Sequence, residues 1–385
     1  MLTLKEIRAA EARIKDYLFV TPLERSSELD AGGALLYSKL EILQRTGSFK
    51  IRGALNKILS LSPAEKKKGV VAASMGNHAQ GVALAAKLIG IPATIVMPKG
   101  APLIKLERTR GYGAEVVERG DTFEESLSSA LSLSRERGLV FIPAFDDEAV
   151  IAGQGVIGLE ILRQLPSVDE VVIPAGGGGL IAGVSLALKE TNPKIKVTGV
   201  QAANRAHTFA DGIRVHQTGK ICQELIRRYV DRMTEVADDE IAQSVLALMD
   251  RSKAVVEGAA ATTLAAVQKG VAGEKGKNTV LILSGGNIDF TQISRILNRG
   301  LAQTGRIARI TILVPDVPGQ LAALLGIIKE EGANVLEVDH DRAFYSGPVN
   351  CTQVKVTLET RGSDHINTIV KKMRGAGYEA TTENA

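Results

Sequence analysis

The sequence predicts an α/β protein built on open parallel sheets, followed by a small C-terminal unit. From Gly69 onward, short apolar runs such as Val70–Ala73 and Ala93–Met97 alternate with helical patterns, which is typical of a parallel sheet covered by helices. Two later apolar runs, at 171–174 and 279–283, each end in a glycine-rich turn. From residue 307 the predicted elements follow the order βαββαβ, which is that of a ferredoxin-like unit.

The remaining elements of the first region are predicted from the same periodicity. The first of them is a helix over residues 54–61. Further strands are predicted at 115–117 and 139–142, and helices at 103–110 and 122–137.

The composition is that of an ordinary globular protein. The 385 residues are 45% hydrophobic, enough for two or three domains with substantial cores. The net charge is +4 with acids and bases interleaved, so no nucleic-acid partner is expected. No apolar run approaches the roughly 20 residues of a membrane span. Cys222 and Cys351 lie far apart without metal-site spacing, which favours a reduced, cytoplasmic setting.

Lys50 lies between a Gly-Ser loop and the helix predicted at 54–61. Most lysines are solvated, but in a dry cleft burial would lower the pKa and leave a nucleophilic amine. Residues 48–54, Ser-Phe-Lys-Ile-Arg-Gly-Ala, resemble the Schiff-base lysine motif of the fold-type II pyridoxal-phosphate enzymes, the group of the tryptophan synthase β-subunit. The resemblance implies that Lys50 binds pyridoxal 5′-phosphate, with Phe49 beside it, within two open α/β domains.

Residues 74–81, Ser-Met-Gly-Asn-His-Ala-Gln-Gly, form the turn between a predicted strand and a helix. Backbone N–H groups at such a turn suit a carboxylate or phosphate, although a turn and helix cap without a ligand would look the same. The stretch resembles the asparagine loop of the same family. The resemblance implies that Asn77 contacts the phenolic oxygen of the cofactor, and that the substrate carboxylate is bound by Ser74, the backbone at Met75 and Gly76, and Thr46.

His78 belongs to the substrate region of this loop. A histidine in a cleft could act as a general base, but the neighbouring residues offer no acidic partner to orient it. A role in packing or at the helix start is therefore favoured over catalysis.

The second glycine-rich turn follows the apolar run at 171–174. Consecutive glycines let several N–H groups converge on one anion at the start of the next helix. Neither a Walker loop nor the usual nicotinamide pattern fits, and a flexible turn without a ligand is the alternative. In the family this stretch binds the cofactor phosphate, which implies a role for Gly176, Gly177, Gly178, Gly179 and Leu180.

Ser284 follows the apolar run at 279–283, and the resemblance implies that its hydroxyl binds the pyridine nitrogen of the cofactor. A hydroxyl does not force that nitrogen to be protonated, so the ring is a weaker electron sink, which suits β-elimination.

These motifs occur in the order found in the serine/threonine dehydratases, and residues from about 10 to 300 resemble that family, closest in pattern to threonine ammonia-lyase. The resemblance implies deamination of L-threonine to 2-oxobutanoate and ammonia, and of L-serine to pyruvate. Lys50 would also take the α-proton. Since no motif contains a carboxylic acid, the cofactor phosphate is the expected acid for the departing hydroxyl.

Two positions distinguish this chain from related serine racemases. Their proton-donating serine corresponds to Met75, which has no exchangeable proton. Their divalent-metal stretch corresponds to residues 201–207, where Gln201 and His207 replace the carboxylates. We therefore expect no metal requirement and little racemase activity.

The C-terminal unit contains a second motif. Residues 316–321, Asp-Val-Pro-Gly-Gln-Leu, resemble the signature of ACT regulatory domains, which pair their sheets and bind a small amino acid. The implied effector, such as isoleucine or valine, would contact Asp316, Pro318, Gly319, Gln320 and Leu321; a purely structural role such as dimerisation is the alternative.

We expect a catalytic region at 1–305, a charged connection at 295–304, and an ACT-like domain at 306–385. A small domain at about 47–147 would be inserted in the catalytic region, and the assembly would be a homodimer or homotetramer. A serine-directed dehydratase, or an ACT-based amino-acid sensor with a degenerate cofactor site, are the competing hypotheses.

Overall fold

The computed structural model describes residues 2–215, 217–345 and 347–383. The chain divides into two compact units, the first ending at Ile288 and the second beginning at Asp289. No helix in these three stretches has both the length and the apolar character of a membrane span.

The first unit contains a six-stranded sheet in the order β1-β2-β10-β7-β8-β9. Every neighbouring pair in it is parallel except β1 and β2, which are antiparallel. The strands are β1 (Leu23–Arg25), β2 (Leu35–Lys39), β7 (Glu170–Pro174), β8 (Lys196–Ala202), β9 (Arg232–Val236) and β10 (Asn278–Ile282).

A separate parallel sheet of four strands is formed by residues between β2 and β7, in the order β5-β4-β3-β6. Its strands are β3 (Val70–Ala73), β4 (Ala93–Met97), β5 (Glu115–Glu118) and β6 (Val140–Phe141). β3 and β4 are buried throughout, as expected for strands covered by helices on both faces. The four predicted strands are confirmed, with small differences at the ends of β5 and β6.

Helices connect the strands of both sheets. They are α1 (Leu4–Ile14), α2 (Lys50–Ser60), α3 (Pro63–Lys68), α4 (Asn77–Ile89), α5 (Leu103–Gly111), α6 (Phe123–Arg137), α7 (Glu148–Gln164), α8 (Gly179–Thr191), α9 (Lys220–Tyr229), α10 (Asp238–Arg251) and α11 (Gly258–Gln268).

Helix α2 begins at Lys50, so the predicted start at residue 54 was wrong. The predicted helix began directly after Gly53, and glycine is a weak helix former. In the structure Gly53 is where α2 packs against α7: a Cβ there would lie 2.4 Å from the Gln154 side chain. Close helix packing therefore explains the glycine, and it places Lys50 in the first turn of a helix.

The second unit begins with α12 (Phe290–Gln303) and continues with β11 (Ile307–Pro315), α13 (Gln320–Glu330), β12 (Asn334–Asp341), β13 (Cys351–Glu359), α14 (Ser363–Gly375) and β14 (Glu379–Glu383). From β11 onward this is the predicted βαββαβ order. The four strands form an antiparallel sheet in the order β12-β13-β11-β14.

Residues 295–304 were predicted as a charged connection, and that prediction was wrong because most of them lie in α12. The buried positions of this helix are Ile293, Ile296 and Gly300, at the spacing of one helical face. The Asp289 carboxylate accepts the N–H of Thr291 and caps the helix. The exposed arginines of the other face dominated the sequence pattern and concealed the apolar one.

Candidate active site

Lys50 lies half-buried in the first turn of α2, and its Nζ donates a hydrogen bond to the carbonyl of Ala144 at 3.0 Å. Burial lowers its pKa to about 8, an effect that the Glu257 carboxylate partly opposes. An appreciable fraction of this amine is therefore unprotonated near neutral pH, as a nucleophile or base requires.

The residues before Lys50 pair with the end of β10. The N–H of Phe49 donates to the carbonyl of Ser284 at 3.1 Å, and Ser48 forms an isolated antiparallel bridge with Gly285. Ser284 is 2% exposed. Two motifs more than 200 positions apart in the sequence are thus adjacent in the fold.

Asn77, the first residue of α4, connects these motifs to two further side chains. Its Nδ2 donates to both oxygens of Glu257, at 2.9 and 3.0 Å, and its Oδ1 accepts from Nδ2 of Asn287 at 2.8 Å. Asn287 Nδ2 also donates to the carbonyl of Thr46 at 2.7 Å. A Cβ on Gly285 would lie 3.2 Å from Asn77 Nδ2, so the glycine allows the asparagine to approach β10 closely.

Thr46 has a left-handed backbone, with φ 67° and ψ 8°. This conformation is costly for a β-branched residue and, where it occurs, is found mainly at functional sites. The Thr46 hydroxyl is buried and has no hydrogen-bond partner, and the same is true of the Ser48 hydroxyl. Both hydroxyls can therefore receive hydrogen bonds from, or donate them to, a ligand.

The glycine loop, residues 176–179, ends where α8 begins. A Cβ on Gly177 would lie 2.2 Å from the ring of Phe145, and Gly178 has a φ of +99°, so neither position suits a larger residue. Phe145 follows Ala144, the residue whose carbonyl accepts from Lys50. Residues 144–145 therefore lie next to both the glycine loop and the Lys50 amine.

These features fit a cofactor with an aldehyde and a phosphate. An amine of lowered pKa can condense with the aldehyde, and a glycine turn at a helix N-terminus can bind the phosphate. The buried, unpartnered hydroxyls of Thr46 and Ser48 leave donors and acceptors for a second ligand.

The residues after β3 lead to Asn77 and are therefore connected to the site. The Ser74 hydroxyl accepts the N–H of Gly76 at 3.2 Å, while Met75 packs against the core. His78 is 4% exposed, and its Nε2 donates to the carbonyl of Ile142 at 2.9 Å. Burial lowers the pKa of His78 to about 3, so its ring is neutral, consistent with a packing role.

A family model described as pyridoxal-phosphate dependent enzyme matches residues 14–285, which is more than half of the chain. The chain belongs to the pyridoxal-phosphate dependent enzymes. The predicted cofactor and the fold-type II architecture are thereby confirmed.

Three similar proteins of this family are informative. An L-threonine ammonia-lyase of Thermotoga maritima is 48% identical, over 98% of this chain and 99% of the relative. The structure of a processed threonine deaminase isoform from Solanum lycopersicum has a TM-score of 0.73 at 38% identity, over 77% of this chain and 86% of that one. The structure of maize serine racemase has a TM-score of 0.73 at 34% identity, over 78% of this chain and 98% of that one.

Glu257 and Asn287 are the site residues that had no role in the sequence-based prediction. Asn287 lies three residues after Ser284 in the sequence and was given no function. Glu257 belongs to no motif, and the inference that only the cofactor phosphate could be an acid did not consider it. The available signal was a single acidic residue in the apolar run Val-Val-Glu-Gly-Ala at 255–259.

A cluster of four buried charged side chains anchors α2 to the core of the first unit. Arg52 donates to Glu41 at 2.7 and 2.8 Å and to Glu160 at 2.6 and 3.0 Å, and Lys39 pairs with Glu160 at 2.6 Å. The guanidinium is 1% exposed. Because Arg52 is two residues from Lys50, the cluster fixes the helix that positions the amine.

In the second unit, the residues of the predicted effector motif line a cavity of about 440 Å³ at the start of α13. The motif residues in its wall are Asp316, Val317, Pro318, Gly319, Gln320 and Leu321. The lining also includes Val314, Pro315, His340, Arg342 and Thr352. Arg342 Nε donates to Asp316 at 3.1 Å.

No group of three or more histidine, cysteine, aspartate or glutamate side chains among the described residues could hold a metal ion. The expectation that no metal is required stays a prediction, tested below with a chelator.

Proposed function

We propose that this protein deaminates L-threonine to 2-oxobutanoate and ammonia with pyridoxal 5′-phosphate as cofactor, and that it also accepts L-serine. The observation that supports this most is the half-buried Lys50 amine of lowered pKa, held beside the glycine loop and Ser284. The threonine ammonia-lyase of Thermotoga maritima, similar over nearly its whole length, supports the choice of substrate.

Each part of the site has an assigned role toward the cofactor. Lys50 would hold it through the ε-amine, and Phe49 would lie beside it. Asn77 would donate to its phenolic oxygen and Ser284 would face its pyridine nitrogen. The phosphate would be bound by Gly176, Gly177, Gly178, Gly179 and Leu180. When bound, the cofactor supplies a conjugated ring that accepts the electron pair left at the substrate α-carbon.

Lys50 is also the proposed base for the α-proton. Its pKa of about 8 lies close to the working pH, where a general base is most effective. His78 is neutral and its Nε2 already donates to the carbonyl of Ile142, so we assign it a packing role and no part in proton transfer.

The substrate carboxylate would be bound between two loops. Thr46 offers a buried hydroxyl without a partner, and the loop of Ser74, Met75 and Gly76 leads into the N-terminus of α4, where N–H groups suit an anion. Because Met75 has no exchangeable proton, we expect little racemisation despite the similarity to maize serine racemase.

We further propose that residues 306–385 form an ACT-like regulatory domain and that residues 47–147 form the small domain of the catalytic region. A hydrophobic amino acid such as isoleucine or valine would enter the cavity at the start of α13, where free N–H groups suit its carboxylate.

Two or four copies of the chain would assemble, with the exposed Leu336 and Val338 of the edge strand β12 as a contact surface.

The test is release of 2-oxo acid from L-threonine and L-serine by the purified protein, with and without chelator. Lys50→Ala should abolish the activity. Lys57→Ala, on the same helix but paired with Asp147 at 2.7 Å, should retain most of it.

Release of 2-oxobutanoate that survives the chelator supports both the reaction and the absence of a metal requirement. Faster release of pyruvate would favour the serine-directed alternative. If protein that contains the cofactor releases no 2-oxo acid from either substrate, the proposed deamination is refuted and the sensor hypothesis is favoured.

A further inference from the structure

Glu257 directs its side chain away from the helix that it precedes. It lies directly before α11 and makes no side-chain hydrogen bond to that helix. Its backbone N–H instead donates to the carbonyl of Gly285 at 3.0 Å, and its carboxylate accepts from Asn77. The residue thus connects the end of β10 to the start of α4.

The hydrogen bonds around Asn77 leave one orientation for each of two amides. The Thr46 carbonyl and the Glu257 carboxylate can only accept. Asn287 must therefore present Nδ2 to Thr46, and the same Nδ2 donates to Asn77 Oδ1. Asn77 in turn must present Nδ2 to Glu257. Within the described residues, the other hydrogen-bond partner of the Asn77 amide is Asn287, so loss of the carboxylate would leave the amide with that one contact.

The Glu257 carboxylate also affects the protonation of nearby groups. The charged groups that act on it electrostatically are Lys50 from α2, Lys105 from α5, and Asp211 from the turn at 211–213. Burial raises the pKa of Glu257, while Asn77 and Lys50 oppose the rise. The negative charge favours the protonated state of Lys50 and of any basic group bound beside it.

We propose that Glu257 is a positioning residue for the cofactor: its carboxylate fixes the orientation of the Asn77 amide, whose Nδ2 is the group proposed to donate to the cofactor oxygen, and its charge retains protons on neighbouring groups. The proposal rests on the role of Asn77 given under the proposed function. It adds a component of the site that none of the sequence motifs contained.

The test is a double-mutant cycle on cofactor affinity. Cofactor-free Asn77→Ala, Glu257→Ala and the double variant are titrated with pyridoxal 5′-phosphate. Loss of one hydrogen bond to a charged group should weaken binding roughly tenfold in Glu257→Ala. If Glu257 acts through Asn77, the double variant should bind no more weakly than Asn77→Ala alone.

Glu257→Gln separates orientation from charge. Glutamine can still accept from Asn77, so affinity should stay within about threefold of wild type, less than the cost of a lost hydrogen bond. The pH midpoint of the visible band of the bound cofactor should shift downward, because the charge that retains the proton is gone. Glu240→Ala is the matched control, because Glu240 accepts the N–H of Ala237 at the start of α10, outside the site.

Multiplicative losses in the double variant, or an unchanged pH midpoint in Glu257→Gln, would overturn the proposal. If circular dichroism shows that Glu257→Ala does not fold, the pH midpoint of the cofactor band in Glu257→Gln tests the proposal instead. None of these measurements uses substrate. A protein that follows the predicted cycle but releases no 2-oxo acid would refute the proposed reaction and leave the role of Glu257 intact.

Discussion

Replacing Arg52 with methionine would leave two buried carboxylates facing one buried ammonium. In the native cluster the charges of Arg52 and Lys39 balance those of Glu41 and Glu160, and all four side chains are at most 3% exposed. The Glu41 carboxylate accepts two hydrogen bonds from the guanidinium. The pKa of Glu41 is lowered because the attraction of Arg52 and Lys39 exceeds the cost of burial.

The expected cost follows from this geometry. Removing one partner of a buried ion pair destabilises a protein by about 3–5 kcal/mol, since a charge is left uncompensated. For a unit of this size each kcal/mol lowers the melting temperature by about 2–4 °C, so Arg52→Met should lower it by roughly 6–20 °C. Arg52→Lys keeps the charge but loses the paired hydrogen bonds, and its loss should be smaller.

The assay is thermal unfolding of the cofactor-free protein followed by circular dichroism. Arg163→Met is the matched control, because Arg163 is 55% exposed in its pair with Glu11 and surface pairs contribute at most about 1 kcal/mol. If Arg52→Met melts as high as Arg163→Met, the buried cluster does not stabilise α2 and the reasoning is refuted.

Three further predictions concern the site. Thr46→Gly should raise the free energy of unfolding by about 1 kcal/mol, because glycine adopts the left-handed backbone without strain. It should also raise KM for threonine, because the proposed carboxylate-binding hydroxyl is gone. Lower stability with an unchanged KM would contradict this. Because the Lys50 pKa is about 8, cofactor capture by the cofactor-free protein should accelerate about tenfold per pH unit up to pH ~8 and then level off; a flat profile would contradict it. The unfolded state binds a proton at His78 below pH ~6.5 and the folded state only near pH 3, so stability falls as the pH drops between these values. In urea unfolding, His78→Gln should therefore reduce the loss of stability between pH 7 and 5 by about 2 kcal/mol. An unchanged loss would contradict this prediction.

Much of this molecule could be predicted from local sequence. Strands β3 and β4 were predicted to the residue, since short buried runs flanked by glycine and polar turns leave little choice. The motifs around Lys50, Asn77, the glycine loop and Ser284 could also be found. Parallel strands bring their carboxyl ends to one edge, where such turns collect.

What could not be predicted depends on contacts between distant parts of the chain. Glu257 binds Asn77 across 180 positions, and Arg52 binds Glu160 across 108. Periodicity contains no information about which residues of two different helices will meet. The start of α2 was missed for the same reason, because Gly53 is explained by its neighbour Gln154 on α7.

The most direct test of the central claim is to identify the amine that holds the cofactor. The purified protein is reduced with borohydride, which makes the link between cofactor and amine permanent, and its peptides are then mapped by mass spectrometry. We predict that the added mass lies on the peptide containing Lys50, and that Lys50→Ala shows none. Labelling of another lysine, such as the buried Lys39, or no labelling of protein that contains the cofactor, would contradict the account.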